Sequence, residues 1–141
     1  MLSTRIPYKE IEIPKVHTAK ETADALGVKL ESILKSMLIF DEKNPQNICV
    51  VVLPGNKNLD FDKISEILQY KKPRFYPKHK IYDVTGFEIG TLPPFGYNAP
   101  IAAVYDKAIL LQDIVYAGSG KTNTVIAFNP KDLDSDTLYA F

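Results

Sequence analysis

The apolar positions change period along the chain, and each change predicts an element. Ile11-Glu12-Ile13 followed by Val16 is a brief alternation broken by Pro14, the pattern of an edge strand or an extended entry segment. Thr18-Ala19-Lys20-Glu21 matches a capping box, in which the threonine hydroxyl takes the N–H of Glu21 and that carboxylate reaches back to the cap. Ala19, Thr22, Ala23 and Leu26 share one face of the helix that follows, and Gly27 stands at its stop. A polar turn from Asp41 to Asn47 leads into Ile48 to Leu53, a dense apolar strand ended by Pro54-Gly55-Asn56. Asp60 then caps a helix with Phe61, Ile64, Ile67 and Leu68 on its buried side.

The run from Leu30 to Phe40 carries two periods at once. Read as a helix, Leu30, Ile33, Leu34, Met37 and Leu38 form a stripe and Lys35 pairs with Glu31 on a wet face. Read as a strand from about Leu34, it projects Lys35 with Met37 and Ile39 into a largely apolar space, where an ammonium group needs an oxygen partner. Periodicity leaves both readings open. Ile101 to Tyr105 and Ala108 to Leu111 read as a β-hairpin about Asp106-Lys107, and Ile114 to Ala117 and Thr124 to Phe128 as a second strand pair. A last helical turn begins at Asn129 with Pro130 in first position. The expected product is one α+β domain over residues 1–141, with antiparallel strands and short helices gathered early and at the end.

Composition narrows the function. At 141 residues, 45% hydrophobic and 24% charged, the chain fits one soluble domain. Lys plus Arg and Asp plus Glu both number 17, so bulk charge does not support wholesale nucleic-acid binding and any such contact needs a local patch. The candidate patch is Lys71, Lys72, Arg74, Lys78 and Lys80, interleaved with Phe75 and Tyr76; its plainer reading is a solvated strand and turn. Cys49, in an apolar run, is expected to be an inert core residue. The absence of a membrane-length apolar run, and of an apolar core in Met1-Leu2-Ser3-Thr4-Arg5, places the protein in the cytoplasm. His17 and His79 suit neither a catalytic relay nor a zinc site, and no Gly-x-Ser-x-Gly elbow is present, so neither metal nor cofactor is expected. Gly118-Ser119-Gly120-Lys121-Thr122 ends like a P-loop but lacks its glycine spacing and runs into a strand, which excludes a nucleotide triphosphatase.

Gly86 to Gly96 holds three of the seven glycines and two adjacent prolines, yet keeps Phe87, Ile89, Leu92 and Phe95. So apolar a loop should pack, and its glycines and prolines make a rigid main-chain cradle for an acyl carbonyl or a phosphate. The alternative is a tight turn between core elements.

Three segments in order resemble the YbaK and prolyl-tRNA-synthetase-associated editing domains. They are Thr18 through Lys35-Ser36, then Gly86-Phe87-x-x-Gly90-x-x-x-Pro94, then Gly118-Ser119-Gly120 through Asn123 and Asn129-Pro130-Lys131-Asp132-Leu133. The resemblance covers about Val16 to Leu133. It implies a mixed α/β domain with a curved, mostly antiparallel, barrel-like sheet, and the hydrolysis of the ester joining a wrong amino acid to the 3′ end of a tRNA. It puts Lys35 on a strand facing the pocket, holding the terminal adenosine or its phosphate. The backbone from Gly90 through Thr91 to Pro94 would bind the acyl carbonyl, with Gly86, Phe87, Leu92, Gly118, Gly120 and Asn123 around the substrate and water activated by a substrate hydroxyl. Thr91 stands where many members have a second glycine, Pro93 adds a second ring, and Gly120 stands where some have a histidine. The expected protein is a free-standing deacylase that meets the acceptor end of tRNA and, in one version, a synthetase. The rival readings are a binding module of the same fold without turnover, and a partner-binding domain presenting Phe75, Tyr76 and Tyr139. The amino acid and the oligomeric state stay open.

Overall fold

The computed structural model describes residues 2–16 and 18–141; His17 lies outside them. The elements in chain order are β1 (Lys9–Glu12), α1 (Ala19–Leu26), β2 (Leu34–Asp41), β3 (Asn44–Pro54), α2 (Phe61–Leu68), β4 (Pro73–Phe75), α3 (Ile81–Thr85), β5 (Ala102–Asp106), β6 (Val115–Gly118), β7 (Thr124–Phe128) and β8 (Leu138–Tyr139). The capping box forms as its sequence dictates: the Glu21 N–H donates to Thr18 Oγ1 at 3.1 Å and the Thr18 N–H to Glu21 Oε1 at 3.1 Å, while Gly27 stops α1 in the left-handed region. Asp60 caps α2 by accepting from the N–H groups of Asp62 and Lys63.

The strands form two sheets of one α+β domain. One is three-stranded in the order β1-β7-β6, antiparallel throughout; the other is five-stranded in the order β4-β2-β3-β5-β8. In the larger sheet β2 pairs antiparallel with β3 and β4, whereas β3–β5 and β5–β8 are parallel. The sheets meet at a bridge between Ile33 and Tyr116. Four of the six pairings among the described residues are antiparallel and two parallel, so the arrangement is mostly antiparallel as expected but mixed, and neither sheet closes into the barrel-like form.

One open choice is settled and two local expectations change. The ambiguous run is a 3-10 turn at Leu30–Ser32 followed by strand β2. The polar turn shrinks to Glu42-Lys43, because β3 already starts at Asn44 and carries Pro45. The hairpin about Asp106-Lys107 is absent. Neither residue supplies the positive φ of a tight hairpin turn, and Asp106 instead accepts from the Ala108 N–H at 2.9 Å and starts a 3-10 turn at Lys107–Leu111. The last helical turn forms as a 3-10 turn at Pro130–Asp132, with Asn129 as its cap and Pro130 in first position, and a further 3-10 turn follows at Ser135–Thr137.

Alternation along β2 and β3 feeds two apolar layers. Leu34, Leu38, Val50 and Val52 pack towards Val115, Ile126 and Phe128 of the smaller sheet. Ile39, Val51 and Leu53 pack towards Ile64 of α2. Cys49 sits in this second layer, where burial pushes its thiol up to about 11 and keeps it protonated at neutral pH. No helix among the described residues is long and apolar enough to cross a membrane.

A buried carboxylate joins the edge strand to the sheet. Asp41, 2% exposed, accepts from the backbone N–H groups of Lys43, Lys71 and Lys72 at 3.0, 3.0 and 2.9 Å. Burial opposes its ionisation, and the N–H groups of Lys72, Lys71 and Lys43 outweigh that and hold the carboxyl below its ordinary value. A lowered carboxyl contributes stability above the unfolded value of about 3.9 and loses it as pH falls through the folded one. Asp41→Ala should thus lower the urea midpoint at pH 7, and acid titration of both proteins should show the difference shrinking below pH ~4.

Candidate active site

A cavity of about 380 Å³ opens between the two sheets. Leu34 and Ser36 of β2 lie along one wall, the first turn of α1 along another, and Ala117 and Gly118 of β6 along a third. The remaining side is the glycine- and proline-rich loop, through Ile89, Gly90, Thr91 and Leu92. The charged residues lining it among those described are Lys15, Lys35 and Lys121, all cationic; the Lys35 ammonium itself is turned to the Lys57 carbonyl, outside the lining.

The loop is packed, as its composition requires: Thr91 to Phe95 are buried while Gly90 is exposed. Two tyrosines hold it. Tyr97 Oη donates to the Pro93 carbonyl and Tyr105 Oη to that of Pro94, both at 2.7 Å, and burial raises both phenols so that they stay neutral donors. Thr91 closes the turn on itself, its N–H and Oγ1 donating to the Glu88 carbonyl at 3.1 and 2.7 Å. Its hydroxyl is therefore engaged within the loop. With two prolines lacking N–H groups, the N–H groups of this loop that line the cavity and make no hydrogen bond among the described residues are those of Ile89, Gly90 and Leu92.

The late glycine loop clamps onto this one. The Gly120 N–H donates to the Thr91 carbonyl at 2.8 Å. A Cβ on residue 118 would lie 2.6 Å from the Leu92 carbonyl oxygen and 2.7 Å from that of Thr91, and one on residue 120 would lie 2.8 Å from the Phe87 ring. Only glycine permits both approaches.

Lys35 alternates with Met37 and Ile39 along β2, and its ammonium donates to the Lys57 carbonyl. Burial pushes the Lys35 amine below its ordinary value. The Lys57 ammonium in turn pairs with Asp106, whose side chain is 3% exposed. A buried carboxylate thus fixes the carbonyl that holds Lys35.

Residues 13–135 match the aminoacyl-tRNA editing domain. The chain belongs to that family. It is 33% identical over 113 residues to the proline–tRNA ligase of Thermosipho melanesiensis, covering 80% of this chain and 19% of the ligase. It is also 27% identical to the uncharacterized protein YwhH of Bacillus subtilis, covering 82% of this chain and 72% of YwhH. A crystal structure named as a candidate trans-editing enzyme for prolyl tRNA synthetase superposes with a TM-score of 0.82 at 29% identity, covering 94% of this chain and 85% of that one. This chain spans about a fifth of the length of the curated ligases it matches.

In this editing domain Lys35, Gly90, Thr91, Leu92 and Gly118 come together in the cavity. Gly86, Phe87 and Gly120 line a second cavity instead. Pro94 lines neither, its carbonyl being held by Tyr105, and Asn123 lines neither, its carbonyl accepting from the Ile13 N–H at 3.0 Å. Arg74 lies opposite Phe40 on β2, five residues from Lys35 and so about 17 Å along the strand. Glu42 sits 3.0 Å from Lys72 and 3.7 Å from Arg74, leaving Lys71, Lys78 and Lys80 as exposed lysines without a salt bridge among the described residues. No group of three His, Cys, Asp or Glu side chains is placed to hold a metal ion among them. Tyr97, Tyr105, Lys57 and Asp106 escape sequence reading, since nothing local marks a tyrosine that bonds a loop carbonyl or a lysine paired 49 residues away.

A lysine whose folded value is lowered binds its proton more tightly when unfolded, so the ammonium costs stability at neutral pH and the penalty fades only as pH rises towards about 10.4. Lys35→Met should accordingly leave the urea midpoint at pH 7 unchanged or raise it. Lys57→Met, which strands Asp106, should lower stability by about 1–3 kcal/mol in the same measurement.

Proposed function

We propose that this editing domain is a deacylase acting in trans on a mischarged aminoacyl-tRNA. The observation that carries the reading is one cavity lined by Lys35 and by the loop residues Gly90 and Leu92, whose N–H groups make no hydrogen bond, with lysines and no carboxylate among the described residues that line it. The family and its trans-editing neighbour support the reaction class. The ester carbonyl oxygen accepts from Gly90 and Leu92, which stabilises the charge that develops there as water adds to the acyl carbon. Lys35 leaves the Lys57 carbonyl for the terminal adenosine or its phosphate, an exchange that gives its partly desolvated charge an anionic partner. A hydroxyl of the substrate takes the proton of the attacking water. The acyl C–O bond breaks, and the ribose oxygen leaves with the proton that this hydroxyl gives up in turn. The products are a free amino acid and an uncharged tRNA.

The first test is a deacylation screen against aminoacyl-tRNAs bearing small and mid-sized amino acids. It begins with tRNA for proline carrying the wrong residue, because proline–tRNA ligases are among the relatives. Cleavage of one or a few esters, reduced about 100-fold or more in Lys35→Ala with the fold retained, is the expected result. A folded protein that binds an acceptor-stem mimic and cleaves nothing overturns it in favour of a binding module.

Lys71, Lys78 and Lys80 are the remaining candidates for phosphate contact outside the cavity. Replacing all three with serine should reduce the slope of log K against log salt for tRNA binding by roughly 2–3. An unchanged slope removes the patch from the binding surface.

A further inference from the structure

The Gly118 to Lys121 segment separates the first cavity from a second, of about 350 Å³, and Lys121 lines both. The second cavity takes the ends of the glycine- and proline-rich loop, Gly86-Phe87 and Gly96, together with Tyr8, Asn98 and Ser119. Glu10 completes it. Lys121 Nζ and Thr124 Oγ1 donate to Glu10 Oε1 at 2.9 and 3.0 Å, which leaves Oε2 without a hydrogen bond among the described residues. Those bonds, that of Lys121 first, lower the carboxyl below its ordinary value, so it is an anionic acceptor at neutral pH.

We propose that this second cavity is a nucleotide subsite, holding the cytidine that precedes the terminal adenosine of the acceptor end. The assignment rests on the deacylase reading and extends it. The two cavities lie on either side of one loop, as consecutive nucleotides require, and Lys121 stands between them with its side chain 63% exposed, suited to the phosphate that links the two. Phe87 and Tyr8 supply the apolar ring surface on which a base packs. The Glu10 carboxylate selects among bases: it accepts from the exocyclic amine of cytosine and opposes the carbonyl oxygen that uracil carries there. Phe87 and Gly120 thus belong to base recognition, and Lys35 and Gly90 to the ester.

The test is an amide NMR titration of the full chain with adenosine 5′-monophosphate, cytidylyl-adenosine and uridylyl-adenosine. Cytidylyl-adenosine should bind roughly tenfold tighter than the mononucleotide and shift Phe87, Asn98 and Gly120 as well as Gly90, while uridylyl-adenosine falls back towards the mononucleotide. Glu10→Gln should narrow or invert the cytidine preference, and Phe87→Leu should reduce the gain from the second nucleotide while leaving the mononucleotide unaffected. Equal affinity for mononucleotide and dinucleotides, with shifts confined to Gly90 and its neighbours, overturns the subsite and leaves the deacylase reading standing. Shifts confined to the Phe87 cavity keep the subsite and count against the ester site. Absence of binding by all three overturns the subsite.

Discussion

The close approach of Gly118 to the carbonyls of Thr91 and Leu92 is the contact on which the site depends. It joins the end of β6 to a loop almost thirty residues earlier and leaves no room for a side chain between them. Because β6 belongs to the smaller sheet and Lys35 to the larger, this contact and the Ile33–Tyr116 bridge set how the two sheets stand across the cavity. The loop keeps its shape through its own bonds and two tyrosine hydroxyls, while the N–H groups of Ile89, Gly90 and Leu92 make no hydrogen bond among the described residues. A main-chain site of this kind is preorganised: its donors are fixed by packing before a substrate arrives.

Electrostatics in this molecule work through carboxylates kept away from the cavity. Asp41 ties the Lys71-Lys72 backbone to the sheet, and Asp106 fixes Lys57, whose carbonyl holds the Lys35 ammonium. Lys35 meets a neutral dipole, the Lys57 carbonyl, and no counter-ion among the described residues. Glu42 has the opposite effect on the basic run, neutralising Lys72 and Arg74. Charge along a sequence is therefore a poor guide to charge on a surface.

Elements specified by near neighbours were legible. The Thr18 capping box, the Gly27 stop, the Asp60 cap and the β-branched run of β3 depend on groups within a few residues, and each forms where the pattern requires. The buried Cys49 and the packed glycine- and proline-rich loop follow from local composition in the same way. The family resemblance, carried by three motifs in order, reached the editing-domain family, which periodicity did not. The hairpin about Asp106 was misread because an aspartate there serves equally as a turn residue and as the cap of a 3-10 turn, and pairing with β3 rather than with its own successor decides between them.

By itself the sequence determined α1 with both its ends, the start of α2, the central strand and the motifs that mark the family, because these rest on hydrogen bonds and side-chain periods closed within one or two turns of chain, whereas α3, which has no side-chain cap, was not legible. Tertiary structure alone decided that β3 and β5 run parallel, that Lys35 points to the Lys57 carbonyl, and that one glycine- and proline-rich loop divides between two cavities, with Gly90 in one and Phe87 in the other. Each of these depends on which distant segments pack face to face. That choice is settled by burying the apolar faces of both sheets together, and no local stretch of the chain contains it.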